Sequence, residues 1–211
     1  MSSQEDSCSR WDLNSSLLLS GRRKSAFIPY RPTNTVLTNL QRGNTETDGN
    51  EITLNFHEKA GQGEITEEMV KEQPCIDTLD LFQFTPLHWA CYYGQLSSVK
   101  ILVQYGADVN KLAPDHISPL LLASAGGHNE IVKFLLQHNA DINHTDIVGN
   151  TALMYATAGN HPHTCNELIV FHPNLTESNE HGDTAYSLAI KNKSHLAQAV
   201  LENHIFSYFL K

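Results

Sequence analysis

His161, His163 and Cys165 are of the types that hold a soft divalent metal. Their spacing argues against it. Residues two apart on a helix point in different directions, so the three cannot converge on one ion. Cys8, Cys75 and Cys91 form no Cys-x-x-Cys pair of the kind used for zinc or disulfide exchange. No Ser, Cys or Asp sits in a motif that would activate it as a nucleophile, and no Gly-rich loop offers a phosphate cradle. The sequence therefore predicts no catalytic residue, no metal and no cofactor. Its chemistry lies in aromatic surface. The stretch "FTPLHWACYYGQ" gathers Phe84, Trp89, Tyr92 and Tyr93 around one short segment. Such rings either fill a core or line a contact surface for a partner.

A repeat positions them. "TPLHWA" from Thr85 returns as "SPLLLA" from Ser118, "TALMYA" from Thr151 and "TAYSLA" from Thr184, each 33 residues after the last. "GADVN" from Gly106 and "NADIN" from Asn139 keep the same step, with a weaker "HPNLT" from His172. One further step back reaches "ITLNFH" at Ile52, aligning Leu54, Phe56 and Gly61 with Leu87, Trp89 and Gly94. This is the pattern of the ankyrin repeat, two helices and a hairpin loop per unit. The expectation is an all-α solenoid of about five 33-residue helix-turn-helix units without insertion, starting near 52, 85, 118, 151 and 184.

Local chemistry agrees. Thr85 suits a helix cap and Pro86 the first helical position. Gly94 and Gly127 suit a left-handed turn, and Asn160 takes that place in the fourth unit. His88 is expected to bond near Thr85. Val99, Leu102 and Val103, then Val132, Leu135 and Leu136, then Cys165, Leu168 and Ile169 form apolar faces turned to neighbouring repeats. His57 and Glu58 in the first unit, and Gln198 and Glu202 in the last, put polar groups at inner-repeat apolar positions. End repeats need that polarity, having solvent on one side. Ile205, Phe206, Phe209 and Leu210 form an expected apolar face over the end of the stack.

Residues 1–50 read as a disordered polar tail and 51–211 as the repeat domain. Ser, Thr and Asn supply 18 of the first 50 residues, a composition too polar to bury a core. Within the tail, the basic run Gly21–Ser25 is compatible with a solvated segment, a nuclear-import signal or phosphorylation at Ser25. Residues 51–211 carry eight basic and eighteen acidic side chains, a net of −10. That balance repels phosphate backbones and makes the repeats a poor candidate for direct nucleic-acid binding. No apolar run approaches the roughly 20 residues of a membrane helix. Leu17–Leu19 is too short for a signal-peptide core of about 7–15 residues. The expected location is nucleus and cytoplasm, where free thiols persist.

Trp89 has equivalents in Leu122, Tyr155 and Leu188, a row along the first helices, which line the concave side of an ankyrin stack. The row is either framework or a groove floor. Tyr92 and Tyr93 occupy the variable end of their helix, and Leu81, Phe82, Ile147 and Val148 add apolar hairpin tips. The expected groove residues are Phe84, Trp89, Tyr92, Tyr93, Leu122, Tyr155 and Asn160.

"LTNLQRGN" from Leu37, "FTPLHWACYYGQ", "LASAGGHNEIVKFLL", "LMYATAGNH" and "VLENHI" occur in an order that resembles the group of regulatory-factor-X-associated ankyrin proteins and ankyrin-repeat family A. The resemblance covers about Leu37 to Lys211. It implies a non-enzymatic adaptor in transcription regulation that binds short Pro-x-Leu-Pro-x-Ile/Leu segments. Partners so implied are regulatory-factor-X proteins, class IIa histone deacetylases and an endocytic receptor tail, with DNA reached only through partners. Where that group has a Trp beside its hairpin Asp, this chain has Ile147 and Val148 after Asp146. A receptor-tail or trafficking adaptor, and a recruiting subunit of an enzyme assembly, are the alternative roles.

Overall fold

The computed structural model describes residues 55–209, so the tail, Ser25 and the basic run lie outside the described residues. Among the described residues are ten α-helices and no strand, only two isolated β-bridges. The helices form five consecutive pairs. These are α1 (Phe56–Gln62) with α2 (Glu67–Glu72), α3 (Pro86–Tyr93) with α4 (Leu96–Gln104), and α5 (Pro119–Ala125) with α6 (Asn129–Gln137). They continue as α7 (Ala152–Ala158) with α8 (Pro162–Val170), and α9 (Ala185–Lys191) with α10 (His195–Phe209). First helices pack in the order α1, α3, α5, α7, α9, and second helices from α4 to α10 form a parallel row.

Thr85, Ser118, Thr151 and Thr184 each cap a first helix by accepting the backbone N–H three residues on. Each cap satisfies one of the amides that have no partner inside the helix. Behind the caps the core runs in columns at the repeat spacing. Leu102, Leu135, Leu168 and Leu201 are buried in the second helices, and Ala90, Ala123, Ala156 and Ala189 in the first. The alanines have no exposed surface; a larger side chain there would force the helices apart at a cost of about 1–3 kcal/mol.

Polar ladders join the repeats. Asp77 accepts the amide of Asp108, Asn110 that of Asp141, and Asn143 that of Asn174. A second ladder lies at the helix–helix turns. The His128 ring lies over Gly94, where a Cβ would stand 2.5 Å from it, and its Nε2 bonds the Tyr92 carbonyl at 3.2 Å. His161 repeats this over Gly127, bonding Ala125 O at 3.2 Å. Gly94 and Gly127 are thus needed twice, for a positive φ of 76° and 74° and for room under an imidazole.

Several expectations are corrected. The first unit is out of phase. Its helix starts at Phe56 behind Asn55, because Ile52 has no oxygen to cap with, whereas Asn55 and Glu58 form a reciprocal capping box. The left-handed residue is accordingly Gly63, at φ 83°, while Gly61 is buried inside α1. Phe206 is 63% exposed. It lies about 140° around the helix from buried Leu201, at 100° per residue, so Phe206 does not cover the end of the stack, while Ile205 is half-buried. The side chains of Phe209 and Leu210 lie outside the described residues. Val148, expected at a hairpin tip, is buried; its carbonyl accepts the amide of Glu180 in the next hairpin.

Candidate functional site

The helix α3 and the hairpin before it bring four of the expected residues together. Trp89 stacks on Tyr93 with centroids 6.0 Å apart and planes 15° apart. Tyr92 meets Tyr93 edge-on at 4.8 Å and Trp89 edge-on at 6.4 Å. Phe84 lies 5.7 Å from Trp89 and edge-on to His88 at 5.5 Å. Tyr93 remains 37% exposed, while Phe84, Trp89 and Tyr92 are half-buried. Gly61 of α1 lies beneath this cluster; a Cβ there would come 2.9 Å from the Tyr93 ring.

The Trp89 ring is held by its hairpin. Its Nε1–H donates to Asp80 Oδ2 at 2.7 Å. The other oxygen of Asp80 accepts the amides of Phe82 and Phe84 at 2.9 and 2.8 Å, shaping the loop. Two repeats on, the construction recurs. The Tyr155 hydroxyl donates to Asp146 Oδ2 at 2.5 Å, and Asp146 Oδ1 accepts the amides of Val148 and Asn150. In the intervening repeat the hairpin position is Ala113 and the helix position Leu122; in the last they are Asn179 and Leu188. A polar-edged aromatic thus occurs where the hairpin supplies an aspartate. The sequence reading missed this pairing, although the common i, i+9 spacing of 80/89 and 146/155 could have revealed it.

The remaining expected residues have different surroundings. Leu122 keeps 2% of its surface, so it supports the row from beneath instead of lining it. Asn160, at φ 56°, uses its side-chain oxygen to accept the amides of Leu196 and Ala197 at the start of α10. It therefore joins the last two repeats.

The face is electrically simple. No Asp, Glu, Lys or Arg occurs in α3, α5 or α7, and the acids sit at hairpins and on other helices. His88 accepts from the Thr85 amide at Nδ1 and reaches the Ile117 carbonyl through Nε2, which fixes it as a neutral ring protonated at Nε2. Burial pushes its pKa down to about 4, partly opposed by bonds to the Ile117 and Lys111 carbonyls. Burial raises the Cys165 thiol to about 11 and Cys91 further. Both stay protonated at neutral pH and fill the core as small apolar groups.

The family model for ankyrin repeats in three copies matches residues 33–113, 56–146 and 120–207. The chain belongs to the ankyrin-repeat family. Within that family it is similar to the DNA-binding protein RFXANK of Homo sapiens, 38% identical over 97 residues that cover 44% of this chain and 37% of the relative. It is 37% identical to Ankyrin repeat family A protein 2 of Bos taurus over 101 residues, 46% of this chain and 32% of the relative. It also matches transient receptor potential cation channel subfamily A member 1 of Drosophila melanogaster, 35% over 86 residues, 37% of the chain and 7% of the relative. The chain thus covers well under half of each relative's length. An ankyrin stack offers an extended concave surface suited to binding proteins. Among the described residues no helix is long and apolar enough to cross a membrane.

Proposed function

We propose that this ankyrin-repeat chain is a non-enzymatic adaptor whose first-helix face binds short linear segments of the Pro-x-Leu-Pro-x-Ile/Leu type. The observation that supports this is the cluster of Phe84, Trp89, Tyr92 and Tyr93, held by Asp80 on a helix without charged residues. A two-proline segment is already extended, so ordering it costs little entropy, and aromatic-lined surfaces suit its rings. Similarity to RFXANK and to ankyrin-repeat family A supports a role in transcription regulation. The partners would then be regulatory-factor-X-type proteins or class IIa histone deacetylases, met in nucleus or cytoplasm. The acidic repeats would meet DNA only through them.

The test is calorimetry of a Pro-x-Leu-Pro-x-Ile peptide against the full chain and an Asp80→Ala/Trp89→Leu variant. The pair reproduces what Ala113 and Leu122 already hold, so no hairpin carboxylate is left without its donor. Losing an aromatic anchor is worth ~2 kcal/mol or more at an interface, so Kd should rise about thirty-fold. The melting temperature should fall only modestly, because the Phe82 and Phe84 amides lose Asp80 as their acceptor, so affinity is read well below the transition. Unchanged affinity with a lowered melting temperature would make the cluster framework only. Binding confined to receptor-tail sequences would favour the trafficking role.

A further inference from the structure

We propose that the aromatic face is occupied in the resting protein by the chain's own segment Phe27–Pro32, which external ligands must displace. This rests on reading that face as a peptide groove. The sequence "FIPYRP" carries Pro29 and Pro32 three residues apart, with Phe27, Ile28 and Tyr30 around them. Three residues make one turn of polyproline II, so in that conformation, which aromatic-lined grooves take up, prolines at this spacing would share one edge. The face offers Tyr93 and Phe82, each 37% exposed, beside the half-buried Trp89 and Tyr92.

Charge selects this occupant. Residues 21–42 contain Arg22, Arg23, Lys24, Arg31 and Arg42 and no acid, a net of +5, whereas residues 51–211 carry −10. One acid lies within the cluster, Asp80, which bonds Trp89. Geometry permits the return. The cluster belongs to the second repeat, next to α1 where residue 55 enters the fold. The 22 residues from 33 to 54 would span roughly 33 Å even if wholly helical and up to about 75 Å extended. Either exceeds the roughly 10 Å between adjacent helix axes.

Tethering makes weak affinity sufficient. A short tether gives an effective concentration of about 1 mM. A segment with a dissociation constant of about 0.1–1 mM would hold the face about half to nine-tenths of the time. External ligand would appear roughly 2- to 10-fold weaker than on the bare face.

The experiment uses the full chain with Trp11→Phe, which leaves Trp89 as the sole tryptophan, and compares it with the same chain carrying Pro29→Ala and Pro32→Ala. Acrylamide quenching of Trp89 should rise about two-fold in the proline variant, at every protein concentration. A Pro-x-Leu-Pro-x-Ile peptide should bind that variant 2- to 10-fold more tightly. Equal quenching in the two chains overturns the proposal. So does a difference that disappears on dilution, because the occupant is then a second copy. If the peptide binds both chains equally, self-occupancy fails while the proposed function stands. If the peptide binds neither yet quenching differs, the self-contact stands and the proposed ligand class fails.

Discussion

At the residue scale His88 carries a sharp consequence. Its ring is buried, Nδ1 faces the amide and hydroxyl of Thr85, and Nε2 donates to Ile117 O. A second proton would have to go on Nδ1, against a donor and without water. The folded pKa of about 4 lies below the 6.5 of an exposed histidine. Between those values the unfolded chain binds more protons, so stability rises with pH there. The contribution is complete above pH 6.5 and is lost as pH falls toward 4, amounting to about 3 kcal/mol at 1.36 kcal/mol per unit. A melting-temperature profile from pH 7 to 4 should show this loss. His88→Leu, copying Leu121 one repeat on, should flatten that part of the profile whatever it does to stability at pH 7. An equally steep profile in the variant would place the acid sensitivity elsewhere.

At the scale of elements, the turn between paired helices is where the repeats lock together. Gly127 and Gly106 both have positive φ, 74° and 93°, so alanine at either meets the same backbone strain, about 1–2 kcal/mol. Only Gly127 has an imidazole over it, 2.5 Å from where an alanine methyl would stand; nothing lies within 4 Å at Gly106. Gly127→Ala should therefore destabilise by about 1–3 kcal/mol more than Gly106→Ala, a difference read from urea unfolding midpoints. Equal losses would mean the His161 contact adds nothing. These turns also show what a sequence can tell. The caps, the Leu102 and Ala90 columns and the left-handed Gly94, Gly127 and Asn160 were legible because each depends on residue type at a fixed step. The first unit was not, since Asn55 and Gly63 offered better start and stop chemistry than the positions the period assigned. The surroundings of Leu122 and Asn160 were not legible for a related reason. Periodicity aligns Leu122 with Trp89, yet depth depends on what the neighbouring repeats leave open. It also could not show Asn160 capping a helix 36 residues on.

For the whole molecule the governing quantity is charge separation along the chain. All five arginines lie at or before Arg42, and the repeats carry −10 with no Arg at all. A surface that neutralised phosphates would release counterions and show a salt slope of about −0.9 per phosphate contacted. The repeats have no such surface, and the six basic side chains of the tail, Arg10 and the five of residues 21–42, can account for at most six contacts. Any complex of the full chain with duplex DNA should thus be indifferent to sequence, confined to low salt, and have a slope of no more than about −5.4. Neutralising Arg22, Arg23 and Lys24 to alanine should reduce that slope by about 2.7 and leave peptide binding at the aromatic face in place. Gel-shift titrations at several salt concentrations read the slopes, and calorimetry reads the peptide. A sequence-selective complex that survives physiological salt and the triple substitution would mean that the repeats themselves contact DNA. That would require attraction between two surfaces of the same sign, so it would overturn the charge argument together with the role of partners as the only route to DNA.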